Sequence, residues 1–191
     1  MRLFVALDID ADIRARIAEF RDQMRQLAPD VRWVGPETFH VTLQFLGETK
    51  KLAEIQSSLR LVKGSPITLA FRDAGFFPNP KSPRVFWVGI EADEHLQDVV
   101  KSIGEALRPL GFERDGGPFS PHLTLARAGS GRPRPVLGER PLPGFQQVRA
   151  RVEALPPLEF GTMTARAFYL YESKLSPAGA HYTKLSRYSL E

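Results

Sequence analysis

Two short stretches decide how this chain reads: Phe39-His40-Val41-Thr42-Leu43 and Pro121-His122-Leu123-Thr124-Leu125. Both spell His-aliphatic-Thr-Leu, and their histidines stand 82 positions apart in a chain of 191 residues. A spacing near half the length predicts two related lobes, each presenting one copy. On a strand, residues i and i+2 share a face and i+1 and i+3 take the other. His40 and Thr42 therefore look one way, and so do His122 and Thr124. Val41, Leu43, Leu123 and Leu125 turn toward the core. The same alternation places Gln44 on the His40–Thr42 face. The chain holds only 4 histidines, so a matched pair with matched flanks is informative where a lone His-x-Thr would not be.

The chemistry of the pattern is that of a proton exchange. Two imidazoles facing across a cleft divide acid and base roles near neutral pH. Hydroxyls beside them hydrogen-bond the non-bridging oxygens of a phosphate. The set suits in-line displacement at a phosphodiester: one proton leaves the attacking oxygen and another reaches the departing one.

Outward from the motifs, apolar spacing marks four amphipathic helices. Ile13, Ile17, Phe20, Met24 and Leu27 form one stripe, opened by Asp10 as a cap and closed by Pro29. Leu52, Ile55, Leu59 and Val62 form a second, ending near Gly64. Leu96, Val99, Val100, Ile103, Leu107 and Leu110 form a third between Asp93 and Gly111. Phe145, Val148, Val152 and Leu155 form a fourth, stopped by Pro156 and Pro157. Strand-like runs lie between them at Arg2–Asp8, Val31–Val34, His40–Leu46, Ile67–Phe71, Arg84–Glu91, His122–Arg127, Ala165–Tyr171 and Tyr182–Leu190. Short connections favour antiparallel pairing, and the whole predicts an α+β fold. With no Pro/Gly/Ser linker, residues 1–191 read as a single bilobal domain. Pro78–Pro83 reads as a long hairpin tip, and Gly129–Pro135 as a basic loop.

Composition removes whole classes of function. The absence of cysteine excludes a disulfide scaffold, thiolate metal sites and a cysteine nucleophile. No apolar run reaches the roughly 18 residues of a membrane span. The Leu3–Leu7 run, stopped by Asp8 and Asp10, is too short for a signal-peptide core, so a cytoplasmic location is expected. The 26 basic side chains divide into 19 arginines and 7 lysines against 22 acids. Arginine's planar fork matches phosphate oxygens, which fits a nucleic-acid partner. No Walker loop, Gly-x-Gly-x-x-Gly or His-Glu-x-x-His occurs, so ATP-driven ligation and zinc hydrolysis lack support. Neither metal nor cofactor is expected. His95 reads as solvated, and His181 as structural or rim-lining.

The order of blocks resembles that of the two-histidine phosphoesterases, in particular the bacterial and archaeal RNA 2′,3′-cyclic phosphodiesterases, also called 2′-5′ RNA ligases. The blocks are Met1–Leu7, Val31–Val34 through His40–Glu48, Phe77–Pro80 with Pro83–Trp87, Phe119–Arg127, Tyr171–Leu175 and Gly179–Tyr182. The resemblance implies a bilobal fold with both motifs lining a central cleft, antiparallel sheets inside and helices outside. It implies metal-free hydrolysis of RNA 2′,3′-cyclic phosphate ends to 2′-phosphomonoesters; apart from the resemblance, a monomer is the plain expectation. On it, His40 is the acid that protonates O3′, His122 the base that activates water, and Thr42 and Thr124 hold phosphate oxygens. It also implies that Phe45 stacks on the terminal base and Arg127 contacts the phosphate. Strand parity does not place these two at the site, because each lies five residues after its histidine. Gln44 stands where relatives often carry a basic residue, leaving Arg127 the main cation near the site. Two other readings stay open: 2′-5′ ligation by the reverse chemistry, and a non-catalytic RNA-binding module; the near-identity of the motifs also leaves the acid and base roles exchangeable.

Overall fold

The computed structural model describes residues 1–114, 116–128, 143–177 and 179–191. The expected basic loop at Gly129–Pro135 lies outside the described residues. Along the chain run β1 (Arg2–Leu7), α1 (Ala11–Arg25), β2 (Arg32–Trp33), β3 (Val41–Glu48), α2 (Leu52–Leu59), β4 (Ile67–Phe77), β5 (Val85–Ala92), α3 (Glu94–Leu107), β6 (His122–Arg127), α4 (Pro143–Glu153), β7 (Glu159–Ala165), β8 (Ala167–Ser176) and β9 (Gly179–Ser189). A short 3-10 turn, Pro36–Thr38, precedes β3.

The strands form two sheets, ordered β3-β1-β8-β9 and β2-β6-β5-β4-β7. Every pairing is antiparallel. This is the α+β architecture of two related lobes that the repeat predicts. The sheets exchange strands: β8 and β9, late in the chain, complete the sheet begun by β1 and β3. β4, from the first half, lies beside β5 in the other sheet. The two motif strands, β3 and β6, touch where the sheets meet.

The helical stripes bury as their spacing requires. Ile13, Ile17, Phe20 and Met24 of α1 are buried, with the Phe20 ring against Phe86 and Phe160. Leu96, Val99, Val100, Ile103 and Leu107 of α3 join the same continuous core. β1 shows how a strand divides two environments. Leu3, Val5 and Leu7 enter the main core, while Phe4 and Ala6 face the opposite side in a second cluster with Tyr171, Tyr169 and Tyr182.

Three expectations are corrected. Asp10 and Asp93 stand at helix N-caps, but neither carboxylate caps its helix. Asp93 Oδ2 instead accepts the Thr68 amide at 3.0 Å, because β4 runs alongside and offers an unpaired donor. The single strand read at Ala165–Tyr171 is two: β7 ends at Ala165 in one sheet and β8 begins at Ala167 in the other. One residue makes the crossing, and it carries no turn signal. Gln44 does not share the His40–Thr42 face. Val5 pairs with Gln44 and Ala6 with Thr42, so Leu43 is an extra residue in β3. Such a bulge reverses the alternation beyond it, and Gln44 turns inward, only 4% exposed, donating from Nε2 to the Phe112 carbonyl at 3.3 Å.

Candidate active site

The same bulge occurs in the second lobe. Trp87 pairs with Thr124 and Phe86 with Ala126, which leaves Leu125 as the extra residue of β6. Each bulge falls three residues after its motif histidine. Beyond it, Phe45 and Arg127 swing onto the face held by the histidine and threonine. The burial patterns agree: Val41, Leu43 and Gln44 are buried while Phe45 is 64% exposed, and Leu123, Leu125 and Ala126 are buried while Arg127 is exposed. The structure thus brings His40, Thr42 and Phe45 onto one face of the first sheet. His122, Thr124 and Arg127 share one face of the second.

The local chain fixes both imidazoles in the same way. His40 Nδ1 lies 2.7 Å from the Thr38 carbonyl, and His122 Nδ1 lies 2.9 Å from the Ser120 carbonyl. A carbonyl only accepts, so each Nδ1 carries the hydrogen and donates it. Each Nε2 is left as the nitrogen that can exchange a proton. His40 Nε2 meets Thr42 Oγ1 at 2.9 Å. Among the described residues, neither His122 Nε2 nor the Thr124 hydroxyl has such a partner.

Aromatic rings set the depth of each histidine. The Phe4 and His40 ring centroids are 4.9 Å apart, and Tyr182 stands edge-on to His40 at 5.1 Å. Phe77 stands edge-on to His122 at 5.0 Å. Burial pushes both imidazoles below their ordinary 6.5, against the opposing pull of the two carbonyls. The Arg127 guanidinium pushes both further down, so one cation on β6 acts on the histidines of both sheets. Among the described residues Arg127 makes no ion pair, which leaves its charge available. His40 also feels Arg14, which lowers it, and Asp8, which raises it. Burial raises the Tyr171 phenol well above its usual value and the Tyr182 phenol in the same direction, keeping both neutral.

A cavity of about 410 Å³ adjoins His40, walled by Asp8, Arg14, Thr38, Tyr171, Tyr182 and Lys184. His181 lines its rim; His95 lies away in the first turn of α3. The aromatic cluster around Phe4 and Tyr171, and the Asp8–Arg14 pair, were not singled out from the sequence. Asp8 had read only as the stop of an apolar run. Alternation in β1 did hold a clue, since Phe4 and Ala6 fall on the face opposite Leu3, Val5 and Leu7. Among the described residues no group of three or more His, Cys, Asp or Glu side chains is placed to hold a metal ion. No helix among them is long and apolar enough to cross a membrane.

Two antiparallel sheets, each lending one histidine and one threonine of the repeated motif, set this chain among the two-histidine phosphoesterases. A family model described as LigT like Phosphoesterase matches the chain twice in tandem, over residues 7–87 and 88–182. The chain belongs to that family. A protein of Archaeoglobus fulgidus named RNA 2′,3′-cyclic phosphodiesterase is 37% identical over 187 residues, covering 97% of this chain and 98% of the relative. One of the same name from Methanothermobacter thermautotrophicus is 33% identical over 196 residues, covering 100% of this chain and 99% of the relative. Among solved structures, one from Thermus thermophilus superposes with a TM-score of 0.77 at 28% identity, covering 100% of this chain and 98% of its own. The E. coli LigT complex with 3′-AMP gives 0.75 at 26% identity, covering 99% and 97%.

Proposed function

We propose that this chain hydrolyses 2′,3′-cyclic phosphates at RNA ends to 2′-phosphomonoesters by metal-free acid–base catalysis. The observation that carries the mechanism is the shared orientation of the histidines. Both Nδ1–H groups are held by backbone carbonyls, so both Nε2 atoms are free to move protons. His122 Nε2 takes a proton from water as its oxygen attacks phosphorus. The P–O3′ bond breaks on the opposite side, and His40 Nε2–H gives its proton to O3′. The product carries a 2′-phosphate and a 3′-hydroxyl. His122 ends protonated and His40 neutral, and exchange with solvent restores the pair.

One asymmetry supports His122 as the base and His40 as the acid. Among the described residues His122 Nε2 is without an intramolecular partner, as a base that must accept from water requires. Thr42 and Thr124 hold the non-bridging oxygens, and Arg127 offsets the charge that gathers on them. Phe45, exposed beside Phe4 with ring centroids 6.2 Å apart, offers a stacking face for the terminal base. Every residue of the set comes from one chain, so a monomer suffices, and RNA ends as substrate agree with a cytoplasmic location.

Incubation with an oligoribonucleotide ending in a 2′,3′-cyclic phosphate, followed by phosphorus NMR, tests the reading. A 2′-phosphate is expected. A 3′-phosphate would reverse the direction of binding, and binding without turnover would leave an RNA-binding module.

A further inference from the structure

The two histidines have unequal neighbours. Leu7 pairs with Val41, so the next residues outward on those strands are Asp8 and His40. In the second lobe, the residue paired with His122 is Gly89. At this register position the first lobe thus carries the charge of Asp8 and the second a glycine, and Asp8 anchors a network. Its Oδ1 accepts from Arg14 Nη2 at 2.7 Å, and its Oδ2 from Lys184 Nζ. Arg14 Nη1 then donates to the carbonyls of Pro36 at 2.6 Å and Phe39 at 3.2 Å. These two carbonyls bracket Thr38, whose own carbonyl holds His40 Nδ1. The turn before His122 has no ionic counterpart among the described residues: Gln97 Nε2 reaches the Phe119 carbonyl at 3.4 Å.

We propose that Arg14 is a positioning residue for His40, clamping the 36–39 turn so that the Thr38 carbonyl keeps the hydrogen on Nδ1 and Nε2 toward the phosphate. This rests on His40 being one of the acid–base pair. Arg14 touches no reacting atom; it acts through the backbone. Its planar fork spans two carbonyls and a carboxylate at once, which a single ammonium does less well. The groups facing His40 are Asp8 just after β1, Arg14 from α1, Arg127 from β6, Tyr171 from β8 and Tyr182 from β9. Of these, Arg14 alone bonds the turn.

The test is nitrogen NMR of the imidazoles in folded Arg14→Gln, read above their titration, beside steady-state kinetics. In the wild type both histidines should show the Nδ1–H tautomer. In Arg14→Gln, His40 should lose that single tautomer while His122 keeps it. kcat should fall by about 10–100-fold, the scale at which outer partners of a site group act, with KM little changed. Arg14→Lys, which retains the charge and part of the donor set, should recover part of kcat. Should Arg14→Gln fail to fold, Asp8→Asn, which slackens the same clamp, should move the His40 signal in the same direction. An unchanged His40 tautomer in a folded variant would overturn the proposal, as would an equal change at His122, which marks general loosening. An inactive wild type would sink the hydrolase reading yet leave the tautomer comparison to decide the role of Arg14.

Discussion

Gly75 lies beneath the indole of Trp87 so closely that a β-carbon there would collide with the ring. The two are register partners across β4 and β5, and Trp87 is in turn the partner of Thr124. The indole packs on Phe77 at 5.1 Å, and Phe77 abuts His122. Gly75→Ala should therefore displace a stack that ends at the second histidine. Overpacking of this kind costs about 1–3 kcal/mol, and kcat should fall with it. Chemical denaturation and turnover are the measurements. Wild-type values of both would mean that Trp87 shifts freely and does not support the site.

The two histidines should behave as a unit. His40→Ala and His122→Ala should each cost roughly 10²–10⁴-fold in turnover, the usual scale for a positioned general acid or base. The double variant should lose less than the product of the two single losses. Thr42→Ala and Thr124→Ala should cost less, since each removes only a hydrogen bond. Thermal melting separates loss of chemistry from loss of fold, and a folded single variant with near-normal turnover would end the paired mechanism.

The pH dependence follows from burial first and Arg127 second. Both imidazoles titrate below their ordinary 6.5, and the active form needs one protonated and one neutral. The bell of kcat/KM should accordingly peak below that value. Arg127→Gln removes a cause common to both histidines, so both limbs should move to higher pH while kcat/KM falls. For stability the sign is fixed by which state binds protons more tightly. The unfolded chain protonates its histidines first, so stability should decline as pH falls from 6.5 through the lower folded values, with no contribution above it. His40→Gln should flatten that acid decline in melts taken across pH. Limbs that stay in place in Arg127→Gln would show its charge to be screened from the pair.

Phe45 offers a clean separation of binding from stability. Its ring is largely exposed, so Phe45→Ala should leave the melting temperature nearly unchanged. Loss of a base–aromatic stack is worth about 1–3 kcal/mol. KM for a cyclic-phosphate end should rise by the corresponding factor, with kcat much less affected. An unchanged KM would place the base elsewhere in the groove.

Hydrolysis should persist in excess chelator, because the proposed groups are imidazole, hydroxyl and guanidinium. Assays with and without a chelator, and with added divalent ions, settle it. Activity that disappears with chelator and returns with one ion would overturn the two-histidine scheme.

The sequence carried the larger architecture well. The repeated motif gave the two lobes, and the spacing of Ile13, Ile17, Phe20 and Met24 gave a helix whose buried face is the one observed. Strand alternation placed Thr42 and Thr124 on the faces of His40 and His122, because a single extended residue stands between each pair. It failed one step later, at Leu43 and Leu125. A bulge is a fact of pairing between two strands, and nothing within Leu43-Gln44-Phe45 announces it. Parity consequently misplaced Gln44 and could not bring Phe45 or Arg127 onto the face of the motif histidines. The β7–β8 crossing at Arg166 was hidden for a related reason. Apolar alternation continues through it, and which sheet a strand joins is decided by partners far away in the chain.

Strand exchange between the sheets has a consequence for how such a molecule can be unequal. One half by itself would lack the strands that the other half lends, so only two copies trading strands would complete both sheets, as in a domain-swapped pair. Identical copies carry identical residues: a carboxylate beside one histidine would stand beside both. Covalent fusion lifts that constraint. Asp8 on one side and Gly89 on the other are a difference that no symmetric ancestor of two equal parts could hold, and that a single tandem chain holds without loss of either sheet.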